Sequence, residues 1–219
     1  MTTSAGVLLG LAAVAALGDW VAVSREHTRL EHVCKPLALA LLVGVAATLD
    51  PASSDQRTAF VIALVLSLIG DVALMLPSDR FVVGLGAFLL GHLAYIVGFG
   101  LLGGDAPDYL LGAVIVSVPA VLLARRYVRA LASTGRRELI PPVVLYVAAI
   151  GAMVASAIAV GNEWAVIGAT LFLVSDTLIA ETRFGGGSRP YVGPRPHGRV
   201  AIMVTYHLAQ AALVVSLLP

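Results

Sequence analysis

The chain is expected to fold as an all-α membrane protein, a polytopic bundle of eight transmembrane helices that forms one domain over residues 1–219 with both termini on the outer side. Three observations predict this. Of the 219 residues, 59% are hydrophobic and only 12% charged, with a mean hydropathy of +0.94, whereas a soluble domain carries roughly 25% charged residues. Eight apolar runs are long enough to approach the roughly 20 helical residues that a hydrocarbon core of about 30 Å requires. The Lys and Arg residues alternate from loop to loop, as they do when short loops obey the positive-inside rule.

The runs lie near 5–23, 34–50, 58–77, 81–103, 109–127, 140–160, 164–182 and 200–218. The first lacks the basic leader of a secretory signal and is followed by Arg25, Arg29 and Lys35, so it reads as a retained span. The second is the shortest of the eight. All but Arg57 of the 14 Lys and Arg fall in loops 1–2, 3–4, 5–6 and 7–8, which places those loops in the cytoplasm. The opposite loops carry Asp50, Asp55, Asp105, Asp108 and Glu163. No internal repeat stands out. The net charge of +1 does not suggest nucleic acid, and the lone Cys34 has no partner for a disulfide, so it reads as a small buried residue.

Ionisable residues inside a span cost from about 2.5 kcal/mol upward, which makes each of them a functional candidate. On span 3, Ser67, Gly70, Asp71 and Leu74 share a face at i, i+3, i+4 and i+7. The same spacing joins Phe88, Gly91, His92, Tyr95 and Phe99 on span 4, and Gly168, Phe172, Ser175, Asp176 and Ile179 on span 7. On span 8 it joins Met203, Tyr206, His207 and Gln210, and Tyr146 and Met153 mark the corresponding face of span 6. At 1.5 Å per residue from the nearest basic residue or turn, Asp71, Asp176, Tyr206 and Asp19 lie roughly 9–11 Å deep, and His92 about 18 Å. Lys35 is expected at the rim. Asp19, beside Trp20, reads as a snorkelling or helix-end residue. A cavity in the cytoplasmic half of the bundle follows. The glycines at 185–187 lack the Lys-Ser/Thr of a phosphate loop.

The strings KPLALALL, GDVALMLP, FVVGLGAFLLGHLAYIVGF, GATLFLVSDTLIAETRF and YHLAQ, in that order, resemble the YhhN-like lysoplasmalogenase family over nearly the whole chain. The resemblance implies eight helices and hydrolysis of the vinyl ether of a lysoplasmalogen to a fatty aldehyde and a glycerophospho-headgroup. It places Lys35, Asp71, His92, Tyr95, Ser175, Asp176 and Gln210 at motif positions. His207 is a departure, since that place is more often aromatic.

Acid cleavage of a vinyl ether begins with protonation at carbon and continues with attack of water on the oxocarbenium ion. It needs one acid that still holds a proton and one negative group. Two carboxylates in a low-dielectric site meet both needs, because desolvation and mutual repulsion favour the retention of one proton, and glycosidases divide the work in the same way. Asp71 and Asp176 are the expected pair, with the acid and base assignments open and His92 as the third catalytic residue. Tyr95, Tyr146, Ser175, Tyr206, His207 and Gln210 are expected to line the substrate site, with Lys35 and Arg183 on the phosphate. The expected partners are a lysophospholipid and membrane lipids in the cell (inner) membrane; neither a cofactor nor nucleic acid is expected.

Three alternatives stay open. A His92/His207/Asp set would resemble a membrane ceramidase zinc site. A proton-coupled transporter would use the same acids and would favour helices broken in matching halves. An intramembrane aspartyl protease lacks support, because only Ile69-Gly70-Asp71 stands where Gly-x-Gly-Asp would be needed and no Pro-Ala-Leu sequence occurs.

Overall fold

Helix-start chemistry is written into the turns before the first, second, third and seventh helices. Thr2 accepts a hydrogen bond from the Ala5 amide, Ser53 from Gln56 and Asn162 from Ala165, and the His27 imidazole accepts from Leu30, so each satisfies an amide that the first helical turn leaves without a partner. Gly161, at φ +71°, ends the sixth helix in the left-handed conformation that glycine adopts without penalty.

The computed structural model describes residues 2–51, 53–76, 80–184 and 196–218, the side chain of Pro196 excepted. Pro77, Arg189, Arg195 and the glycines at 185–187 lie outside the described residues. Eight helices run in order: α1 Thr3–Ser24, α2 Thr28–Thr48, α3 Ser54–Met75, α4 Phe81–Gly100, α5 Ala106–Ser133, α6 Ile140–Val160, α7 Glu163–Phe184 and α8 Pro196–Val215, with a 3₁₀ turn at Arg137–Leu139 before α6. There is no strand among the described residues, and all eight helices are long and apolar enough to cross a membrane.

Two helices extend well past the apolar runs that announced them. The second begins at Thr28, so Arg29, Glu31, His32 and Lys35 are helical rather than in a loop. α5 continues to Ser133 and carries Arg125, Arg126 and Arg129 with it. Its 28 residues span about 42 Å, more than the hydrocarbon thickness of about 30 Å. Hydropathy falls at the first charge, but backbone hydrogen bonding does not, and long basic side chains reach the interface from a helix that keeps going.

The helices pack as consecutive hairpins, α1 on α2, α3 on α4, α5 on α6 and α7 on α8. Contacts of α2 with α3, α4 with α6, α6 with α7 and α1 with α8 close a ring, and α5 lies outside it against α6 and α7. The helices are unbroken, although α2 and α5 hold Pro36 and Pro119 within them. Large apolar side chains such as Val14, Leu110 and Val118 face outward, each more than 60% exposed, as lipid-facing residues should be. Inside, Phe60, Tyr95, Phe99, Phe172, Met153 and Leu213 are sealed.

Close helix contact depends on small residues, since lipid gives apolar helices no hydrophobic reason to associate. A Cβ at Gly168 of α7 would meet Leu213 Cγ at 2.8 Å, the Leu213 amide nitrogen at 2.9 Å and the Ala209 carbonyl at 3.0 Å on α8. Gly168→Val is therefore expected to lower the detergent unfolding midpoint, at an overpacking cost of about 1–3 kcal/mol. Gly10→Ala, where nothing lies within 4 Å, should leave the midpoint unchanged in the same thermal scan.

Candidate active site

Within the ring, two carboxylates sit in different company. Asp71 of α3 is buried, and its Oδ1 is 3.0 Å from the Lys35 Nζ of α2. Its Oδ2 accepts a 2.7 Å hydrogen bond from the Tyr206 hydroxyl of α8. Three helices therefore meet at one carboxylate. Lys35, expected at the rim, is instead buried in this pair: the longer α2 carries it inside, and an ammonium in a low-dielectric interior needs a counter-ion. Gly70 makes room next door, since a Cβ there would lie 2.7 Å from the Phe88 ring of α4.

Asp176 of α7 accepts a 2.6 Å hydrogen bond from the Tyr146 hydroxyl of α6, and His92 Nε2 of α4 stands 3.6 Å from the same oxygen. The last distance is too long for a hydrogen bond. His92 is fully buried, with its ring edge-on to Tyr146 at 5.1 Å and to Phe172 at 4.8 Å. The groups against Asp176 are thus a phenol and an imidazole, whereas Asp71 has a fixed cation. Between the two sets stand aromatic rings. Phe172 lies 5.5 Å from Tyr206 and 6.2 Å from Phe88, and Phe88 lies 6.0 Å from Tyr206.

Asp176 and Tyr146 open onto an apolar cavity. Leu85, Phe88, Val147, Ile150 and Leu173 are among its walls. Phe81 and Phe184 close it at the end of the bundle where α4 starts and α7 stops. Over those rings lie two guanidinium groups, Arg183 at 4.4 Å from the Phe81 centroid and Arg136 at 5.6 Å from that of Phe184.

The other expected residues fall around these two centres. Tyr95 donates a 2.6 Å hydrogen bond to Gln210 Oε1, which ties α4 to α8 across the ring. Ser175 donates to the Ile202 carbonyl at 3.2 Å. His207 turns away toward α1, where its Nδ1 accepts from Trp20 Nε1 at 3.0 Å. Its ring contacts are with Trp20 and Tyr206, those of His92 with Tyr146 and Phe172. Among the described residues no three His, Cys, Asp or Glu side chains converge as ligands for a metal ion.

Two readings need correction. Asp19 does not snorkel but is buried, between Gly18 packed on Cys34 of α2 and Trp20 bonded to His207 of α8. Cys34 is only half-buried, at the edge of the α1–α2 contact. The Glu31–Arg199 ion pair, at 2.7 and 2.8 Å between α2 and α8, was not anticipated. The i, i+4 spacing of Glu31 and Lys35 was the signal for a second buried charge on that face.

The family model described as the YhhN family matches residues 30–217. A Mycobacterium tuberculosis protein named lysoplasmalogenase is 33% identical over 172 residues, 77% of this chain and 65% of the relative; a Mycobacterium bovis protein of the same name matches equally. The human protein named lysoplasmalogenase TMEM86B is 32% identical over 158 residues, 71% of this chain and 62% of its own length. The matched stretch therefore spans a little under two thirds of these relatives. No solved structure matches the chain.

The Lys35–Asp71 pair makes a stability claim that is independent of function. Removing one partner of a buried ion pair strands the other charge, so Lys35→Met should cost about 3–5 kcal/mol of stability. Lys35→Met/Asp71→Asn should recover most of that loss in denaturant titrations of the detergent-solubilised protein. A double variant as unstable as Lys35→Met alone would contradict the pairing.

Proposed function

We propose that this chain, which belongs to the YhhN family, hydrolyses the vinyl ether bond of a lysophospholipid to a fatty aldehyde and a glycerophospho-headgroup. The observation that carries the reading is the apolar cavity with a hydrogen-bonded carboxyl at its wall and a second, ion-paired carboxylate behind an aromatic partition. A single-chain lipid needs an apolar slot, and the cleavage needs an acid and a separate negative charge. The names carried by the mycobacterial and human relatives support the substrate class.

In this reading the alkenyl tail lies along Val147, Ile150 and Leu173. The Asp176–His92 couple holds one proton, which passes from Asp176 to the vinyl carbon. A carboxyl with no Lys or Arg paired to it among the described residues suits that step, because no fixed cation there holds it in the ionised form. The resulting oxocarbenium ion forms beside Phe172, Phe88 and Tyr206, whose ring faces attract a cation. Asp71, kept ionised by Lys35, stabilises the same charge through space and takes the proton of the attacking water. The two carboxyl groups have separate partners, which suits a division into acid and base. Tyr146 orients Asp176, and Tyr206 orients Asp71. The hemiacetal then collapses to aldehyde and glycerol hydroxyl.

The phosphate is held at the arginine-bearing end of the cavity. Arg183, with Arg136 beside it, takes that role rather than Lys35, because the arginines lie over the rings that close the cavity and Lys35 is buried against Asp71. With the basic loops facing the cytoplasm, as the positive-inside rule requires, the active site opens to the cytoplasmic leaflet of the cell membrane and both termini lie outside. A transporter reading finds no support in the helices, which are continuous.

Asp176→Asn and Asp71→Asn are each expected to cut aldehyde release from lysoplasmalogen in detergent by about 10²–10⁴-fold, the usual contribution of a positioned acid or base. Full activity in either folded variant would overturn the assignment. Arg183→Gln should raise KM about tenfold, the equivalent of about 1.4 kcal/mol, and spare kcat. An alkenylglycerol without phosphate should show no difference between Arg183→Gln and the parent chain.

A further inference from the structure

Asp19 has no part in the chemistry above, yet its carboxylate is buried. It is 0% exposed, and neither of its oxygens has a hydrogen-bond partner. The α1–α2 hairpin fixes its level. A Cβ at Gly18 would sit 3.1 Å from Cys34 Sγ, so Asp19 lies alongside the turn of α2 that runs from Glu31 to Lys35, both buried and four residues apart. The charged groups that act on it are Lys35 first, then Glu31, Asp71 and Arg199, from α2, α3 and α8. His207, also on α8, is engaged by the neighbouring Trp20.

Counting these groups as a cluster gives three acids, Asp19, Glu31 and Asp71, and two bases, Lys35 and Arg199. Glu31 is paired with Arg199 and Asp71 with Lys35. Asp19 is left over, and an unpaired charge at that depth would cost several kcal/mol. A proton removes the cost. Lys35 therefore has two possible counter-ions and one ammonium, and the balance holds in either of two states. Because residues 1–29 precede the stretch that the family model matches, Asp19 is outside the motifs that identified the site.

We propose that Asp19 and Asp71 are alternating counter-ions of Lys35 that share one proton between them. Asp19 carries the proton while Asp71 is ionised. In the catalytic cycle, and here the inference rests on the proposed hydrolysis, the O–H bond of the attacking water breaks and its proton goes to Asp71. Asp19 then gives up its own proton past Glu31 and Arg199, the latter partly exposed, and Lys35 pairs with the Asp19 carboxylate. The reset moves the proton of Asp71 to Asp19, while Asp176 regains one from solution. Each turnover thus consumes one proton and releases one. Asp19 touches no substrate; it is a positioning residue that acts through Lys35.

Infrared difference spectra of the purified protein with carboxyl-labelled aspartate test this without substrate. Subtracting the Asp19→Asn spectrum from that of the parent chain should leave the C=O stretch of one protonated carboxyl. Asp71→Asn should lose the same band, because Lys35 then turns to an ionised Asp19. A band that survives in Asp71→Asn overturns the proposal, as does its absence from the parent chain, and the Asp71→Asn spectrum decides alone where Asp19→Asn does not fold. In the aldehyde assay Asp19→Asn should lower kcat about 10–100-fold, the loss expected when a charge-assisted interaction of about 1.5–3 kcal/mol goes, with KM unchanged and recovery in Asp19→Glu. An unaltered kcat in the folded Asp19→Asn protein would also overturn it. A parent chain that releases no aldehyde yet shows the bands would sink the hydrolysis and leave the shared proton standing.

Discussion

The pairing of buried charge governs this molecule. A helix bundle in lipid has no hydrophobic force to draw its interior together, so polar contacts and close packing of small residues must do it. The ion pair of Lys35 with Asp71 and the hydrogen bond from Tyr206 join α2, α3 and α8 at one point. The Tyr146 and His92 contacts of Asp176 bring α6 and α4 to α7, and Tyr95 with Gln210 crosses from α4 to α8. The residues that would be most expensive to leave alone in a membrane are the ones that close the ring.

The same requirement separates the two carboxylates. Asp71 is paired with a lysine and bonded to Tyr206, whose ring adjoins Phe88 and Phe172, whereas Asp176 stands at the wall of an apolar cavity beside a phenol and an imidazole. In the proposed hydrolysis the ion-paired carboxylate is the charged partner and the other gives up a proton. The division of labour in the proposed hydrolysis is thus a consequence of partners, not of the residue type, which is identical.

Much of this was legible in the sequence. Eight apolar runs announced eight helices, and the i, i+3, i+4 spacing picked out the inward faces of α3, α4, α6, α7 and α8, because a buried face in a bundle repeats with the helical period. What the spacing could not give was partners across helices. Lys35 looked like a rim residue because hydropathy drops before it, and only the extension of α2 to Thr28 shows that it lies inside. Asp19 looked interfacial beside Trp20, but the packing of α8 on α1 buries it and turns the indole toward His207. Glu31 and Arg199 lie 168 residues apart in sequence, and no local pattern joins them.

In the proposed hydrolysis, cleavage starts with protonation of the vinyl carbon by the protein. The direct measurement is the turnover of lysoplasmalogen by the purified, detergent-solubilised chain in H₂O and in D₂O, with deuterium in the aldehyde read by mass spectrometry. Slower turnover in D₂O, with deuterium on the carbon next to the aldehyde, is the result expected. Equal rates in the two solvents, or no aldehyde from the folded protein, would contradict it.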